Sequence, residues 1–134
     1  MNGQAGLEGK TVMIVDDDQT MRTLIRRMLA RMKITSLLEA EGGAKALQQL
    51  AVAPGACDLV ICDWNMPGMS GIELFDKVNS LRPGMPFLML TGRADANSVI
   101  AAKKAGVPAY IVKPISPDEL KNKVSFLLSR PAVS

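Results

Sequence analysis

Three short apolar runs constrain this chain more than anything else in it: Val12–Val15 (VMIV), Leu59–Cys62 (LVIC) and Phe87–Leu90 (FLML). None alternates apolar with polar residues. A strand with one wet face alternates, whereas a strand covered on both faces does not. Runs of this kind belong to a parallel sheet with helices on either side. Five strands are expected, at Thr11–Val15, Thr35–Leu38, Leu59–Cys62, Pro86–Leu90 and Ala109–Val112.

Helical patterns fill the spaces between them. Met21, Leu24, Ile25, Met28, Leu29 and Met32 recur at helical spacing, with Arg22, Arg26, Arg27 and Arg31 between them. The methionine stripe reads as core packing. A second helix is expected from near Gly43 to Val52, with Ala44, Leu47 and Leu50 inward and Pro54-Gly55 as its stop. A third opens on the capping box Ser70…Glu73 and runs to about Leu81. A fourth spans roughly Ala94 to Ala105 and stops at Gly106. The last has Ser116 as N-cap, Pro117 at the first helical position and Glu119 at the box position, with Leu120, Val124 and Leu127 on one face.

The order is β-α repeated, which implies right-handed crossovers. The fold class is α/β: a (βα)5 doubly wound, five-stranded parallel sheet in a three-layer sandwich. Residues 1–9 read as an N-terminal extension, 10–129 as the domain and 130–134 as a C-terminal tail. A chain of 134 residues suits one domain and buries a core without disulfides.

Bulk composition excludes several classes. A formal charge of +3 is too mild to argue for nucleic acid. Cys57 and Cys62 would stand about 16 Å apart along an extended strand, too far for a disulfide. With no His in the chain, a metal site built on the two cysteines is not expected. No apolar run approaches the ~18 residues of a membrane helix, and the N-terminus MNGQAGLEGK has no apolar signal core. A cytoplasmic location is expected.

In sheets of this kind, ligands sit beyond the carboxyl ends of the strands. Strand one ends in Asp16-Asp17-Asp18, strand three in Asp63, strand four in Thr91 and strand five in Lys113-Pro114. Each has an ordinary reading alone, as a helix cap, a turn or a strand exit. Their joint arrival at four strand ends points to a site. Asp16, Asp17 and Asp63 would repel one another without a cation, and a hard divalent ion such as Mg²⁺ (or Mn²⁺) suits oxygen ligands. Asp63 could then attack phosphorus, with the metal and Lys113 neutralising the transferring group. A phosphatase of another class would need a general acid or base, and there is no His to supply one. Three acids argue equally against a flavin phosphate.

From about Lys10 to Leu128 the chain resembles the receiver domain of two-component response regulators, most of all the stand-alone chemotaxis-regulator (CheY-like) type, whose fold is flavodoxin-like. The residues carrying this are VDDD at 15–18, DWNMPGMSG at 63–71, LTG at 90–92 and YIVKP at 110–114. The resemblance implies Asp63 as phospho-acceptor, with Asp16, Asp17, Asp63 and the main-chain carbonyl of Asn65 on the metal. It implies that Thr91 and Lys113 bind the phosphoryl group, that Tyr110 turns inward with Thr91, and that the Lys113–Pro114 bond is cis. Asn65 and Arg93 fall at positions that influence phosphate lifetime. Ser70 replaces the family's usual Asp; both are good N-caps.

The resemblance further implies a phosphoprotein rather than a conventional enzyme, with self-catalysed phosphoryl transfer and slow autodephosphorylation. The donor would be a sensor histidine kinase or histidine phosphotransfer protein. The output would be a helix four–strand five–helix five surface that binds a protein target, with chemotaxis the setting that the stand-alone type suggests. Lys103, Lys104, Lys121, Lys123 and Tyr110 give that surface a basic character suited to an acidic partner. The arginines of helix one offer a second basic face for a kinase. A phosphate sink or shuttle in a phosphorelay, with no separate target, is the alternative. No DNA contact and no membrane insertion are expected, and a monomer is.

Overall fold

Each apolar run forms a strand, and each intervening pattern a helix. The computed structural model describes residues 7, 9–92 and 96–129. Its elements are β1 (Thr11–Val15), α1 (Gln19–Arg31), β2 (Ser36–Ala40), α2 (Gly43–Val52), β3 (Leu59–Asp63), α3 (Gly71–Leu81), β4 (Phe87–Thr91), α4 (Ala96–Ala105), β5 (Ala109–Val112) and α5 (Pro117–Ser129). The strands pair in parallel in one sheet, in the order β2-β1-β3-β4-β5. The order reverses between β1 and β3, which leaves a crevice at their carboxyl ends.

The three runs without alternation are the three central strands. β3 and β4 are buried at every position, and β1 at all but its first. The edge strand β5 alternates between buried and half-buried residues. Successive residues of the central strands face opposite helical layers. Val12, Ile14, Leu59, Ile61, Leu88 and Leu90 pack with Ile25 and Leu29 of α1 and with Leu120, Val124 and Leu127 of α5. Met13, Val60, Cys62, Phe87 and Met89 pack with Ala46 and Leu50 of α2 and with Leu74, Phe75 and Val78 of α3. The first layer is mostly branched aliphatic, with Met32 buried in it and Met21 and Met28 packed against it, while the second holds the buried aromatic side chains and more of the sulfur. Leu7, ahead of β1, is 2% exposed and completes the aliphatic layer.

Several expectations shift. Strand two begins at Ser36 and reaches Ala40, because α1 exits through Lys33 at φ 64, in the left-handed region. Leu24 is 41% exposed, since Ile25 and Leu29 set the inner face of α1. In α2 the inward residues are Gly43, Ala46 and Leu50; Ala44 is exposed and Leu47 half-buried. The cause is a close approach: a Cβ on Gly43 would meet Met69 Sδ at 2.5 Å, so the Gly43 face of the helix must turn inward. The expected start of helix four at Ala94 lies outside the described residues.

The caps match the sequence signals. Ser70 Oγ accepts from the Glu73 amide at 3.2 Å, and Ser116 Oγ from the Glu119 amide at 3.4 Å. Among the described residues, no helix is long and apolar enough to cross a membrane.

Candidate functional site

The carboxyl edge of the sheet brings Asp16, Asp17 and Asp63 together. Each offers a carboxylate oxygen, and these lie within 4.8 Å of one another. Asp16 and Asp63 are buried at 1% and 6% exposure, whereas Asp17 is exposed. Lys113 Nζ reaches in from beyond β5 and donates to Asp63 Oδ1 at 3.0 Å. Thr91 closes β4 at 3% exposure, and its main-chain carbonyl accepts from the Lys113 amide at 2.7 Å. The Lys113–Pro114 bond is cis.

Local structure fixes each of these groups. The amide of Asp16 extends the sheet by donating to Ala40 O at 3.1 Å. Asp16 Oδ1 accepts from the Asp18 amide at 2.8 Å, and Asp18 caps α1 by accepting from the Thr20 amide at 2.9 Å. Beyond Asp63, Trp64 donates to Leu90 O and accepts from the Gly71 amide, both at 2.8 Å, so the loop from 64 to 71 is closed at its base. Gly71 is required there. A Cβ on it would lie 2.7 Å from Asp63 O and 2.9 Å from Trp64 Cα.

The electrostatics call for a cation. Burial pushes the Asp16 carboxyl above its usual range, and the Asp63 and Asp17 charges push the same way, against the Asp18 amide and Lys113. Asp16 Oδ2 is a buried oxygen without a hydrogen-bond partner. An orphaned carboxylate oxygen facing two further carboxylates is the donor set of a hard divalent cation, so the residues fit Mg²⁺. The neighbouring Cys62 thiol is pushed up by burial and by Asp63 and Asp16, and it donates to Asp63 O at 3.1 Å; it is no nucleophile.

The remaining expected residues spread outward. Asn65 is exposed in the loop after β3. Tyr110 is half-buried and, like Ala105 and Val107, packs against the sulfur-rich layer. Lys103, Lys104 and Lys121 are exposed, and Lys123 is half-buried. Arg93 lies outside the described residues. One contact was not foreseen: Arg22 Nη1 donates to Asp16 O at 2.6 Å. The available signal was Glu39, an acid in the otherwise apolar SLLEA of β2, which holds the same guanidinium.

Comparison with known proteins identifies the family. The family model of the response regulator receiver domain matches residues 12–125. Chemotaxis protein CheY1 of Helicobacter pylori is 41% identical over 119 residues, covering 87% of this chain and 95% of the relative. Chemotaxis protein CheY of Pseudomonas aeruginosa is 39% identical over 121 residues, covering 89% and 96%. Among solved structures, a putative response regulator from Chloroflexus aurantiacus superposes with TM-score 0.83 at 35% identity, covering 90% of this chain and 98% of that one. Response regulator TrrA of Thermotoga maritima, solved in complex with Mg²⁺-BeF, gives TM-score 0.77 at 32% identity, covering 88% and 98%. The chain therefore belongs to the response regulator receiver family of two-component signalling, and within it to the CheY type.

Proposed function

We propose that Asp63 is the phospho-acceptor of a Mg²⁺-dependent switch. The observation carrying this reading is the convergence of Asp16, Asp17 and Asp63 with the Lys113 ammonium 3.0 Å from the acceptor carboxylate. A carboxylate oxygen of Asp63 attacks the phosphorus of a phosphohistidine on a kinase or phosphotransfer protein. The P–N bond breaks, its electron pair stays on the imidazole nitrogen, and an acyl phosphate forms on Asp63. Asp16, Asp17, Asp63 and the Asn65 carbonyl hold the metal. When bound, Mg²⁺ neutralises the carboxylates and the charge of the phosphoryl group.

Lys113 moves from the Asp63 carboxylate to a phosphoryl oxygen. The Thr91 hydroxyl donates to another, and Tyr110 follows into the space that Thr91 leaves. The surface of α4, β5 and α5, with Lys103, Lys104, Tyr110, Lys121 and Lys123, then changes shape for an acidic target. The phosphoryl group selects one of two pre-existing arrangements. Asn65 and Arg93 set how long it stays. The chemotaxis proteins among the relatives support a motility role.

Intact mass after incubation with acetyl phosphate tests the chemistry. Wild type gains one phosphoryl group with Mg²⁺ and none without; Asp63→Asn gains none in either case. A wild type unlabelled by both acetyl phosphate and a phosphohistidine donor overturns the reading. Capture of a target by the labelled wild type, but not by Asp63→Asn, separates a switch from a phosphate sink.

A further inference from the structure

We propose that Arg22 is a positioning residue for the divalent cation, holding the Asp16–Asp17 peptide in place while Glu39 holds Arg22. This inference rests on the reading of Asp16, Asp17 and Asp63 as the metal site.

Arg22 uses both ends of its guanidinium. Nη1 donates to the main-chain carbonyl of Asp16 at 2.6 Å, and Nε donates to Glu39 Oε1 at 3.1 Å. The other oxygen of Glu39 accepts from Arg26 Nη1 at 2.6 Å. The carbonyl of Asp16 belongs to the peptide plane joining Asp16 to Asp17, so fixing it orients both carboxylates. The amide of Asp16 is already fixed on Ala40 O at 3.1 Å. The Asp16 backbone is thus held from β2 on one side and from α1 on the other.

The placement has a cost that a surface arginine would not carry. Arg22 lies at the N-terminal end of α1, where the helix dipole disfavours a cation. Its side chain is only 15% exposed, against 46% for Arg26. A forked, planar guanidinium can bridge a carbonyl and a carboxylate at once, whereas a lysine ammonium is a single point charge.

Charge and position predict opposite signs. Arg22 is a cation near a cation site, so by Coulomb repulsion alone its removal strengthens Mg²⁺ binding. If Arg22 positions the ligands, its removal weakens binding. The test is a MgCl₂ titration followed by Trp64 fluorescence and by calorimetry. The proteins are wild type, Arg22→Met, Arg22→Lys, Glu39→Gln and Arg26→Met, with melting curves in EDTA as a fold control.

The expected result is a Kd raised about tenfold or more in Arg22→Met, a loss typical of groups that orient metal ligands. Arg22→Lys keeps the charge and loses most of the same affinity. Glu39→Gln shows a smaller rise. Arg26→Met removes an equal charge and leaves Kd unchanged or slightly lower. An Arg22→Met protein that binds Mg²⁺ as tightly as wild type, or more tightly, overturns the proposal. If Arg22→Met does not fold, Arg22→Lys decides, because it keeps the charge and any loss of affinity is then positional. A wild type that binds no Mg²⁺ overturns the metal-site reading and this inference together. A binding wild type with unaffected Arg22 variants overturns this inference alone.

Discussion

At the β1–β3 end of the carboxyl edge, carboxylates converge on strands buried in the middle of the sheet, and their backbone is tied on every side. Asp16 is bonded to Ala40 and Arg22, and Trp64 to Leu90 and Gly71. At the β4–β5 end stand a hydroxyl and an ammonium, and the sheet stops at an edge strand that alternates in burial. The helices differ in the same sense. α3 and α5 each bury four residues, while Ala102 is the buried side chain of α4 among the described residues. Weakly anchored elements are those that rearrange at low cost. On the function proposed above, one end would hold a cation in fixed geometry and the other would respond.

Asp16→Asn should have the largest effect. It keeps an acceptor for the Asp18 amide and removes the charge. Mg²⁺ affinity should fall by more than about a hundredfold, beyond the usual loss from groups that merely orient ligands. In EDTA the same variant should melt higher, by about 4 °C, because a poorly compensated buried charge is gone. Weaker metal binding without the gain in EDTA would mean that the fixed end is not strained without its ion.

Lys113→Met probes the boundary between the two ends. It frees Asp63 from its ion pair, so Mg²⁺ should bind about fivefold tighter, as expected for a pair worth ~1 kcal/mol. Phosphoryl transfer should slow at the same time. A parallel loss of both would place Lys113 with the metal-holding end. Thr91→Ala should change least: Mg²⁺ affinity and labelling stoichiometry stay within twofold of wild type, by roughly the margin of a neutral substitution. Phosphorylation should no longer alter hydrogen exchange around Tyr110. Undiminished exchange changes there would remove Thr91 from the response.

The binding end was legible because the chain writes it at strand ends. Each buried run stops on a polar residue, and a parallel sheet gathers those stops at one edge, so Asp16, Asp63, Thr91 and Lys113 follow from topology. Arg22 did not follow. Its partner Glu39 is on another element, and the regular spacing of arginines along α1 suggested an exposed basic face. The structure divides that face: Arg22 and Arg26 turn to Glu39, and Arg27 and Arg31 remain exposed. The face of α2 was misjudged at Ala44 because hydrophobicity cannot report the contact of Gly43 with Met69. Fine rotation of a helix depends on which backbone comes nearest, and a glycine leaves no apolar mark. The order of the elements needed only the strand runs and the caps.

Leu7 gives this molecule a handle. Its side chain is sealed into the aliphatic layer and its carbonyl accepts from the Lys10 amide at 3.2 Å, so the polypeptide is moored before β1 begins. The mooring lies at the amino edge, one strand length, or about 16 Å, from the carboxylates. A fluorophore, affinity peptide or surface tether joined upstream of Leu7 therefore enters at the rim opposite the carboxylates. Immobilised that way, the protein presents its acidic rim to the solution, which makes upstream attachment the orientation for force or interferometry measurements on this chain.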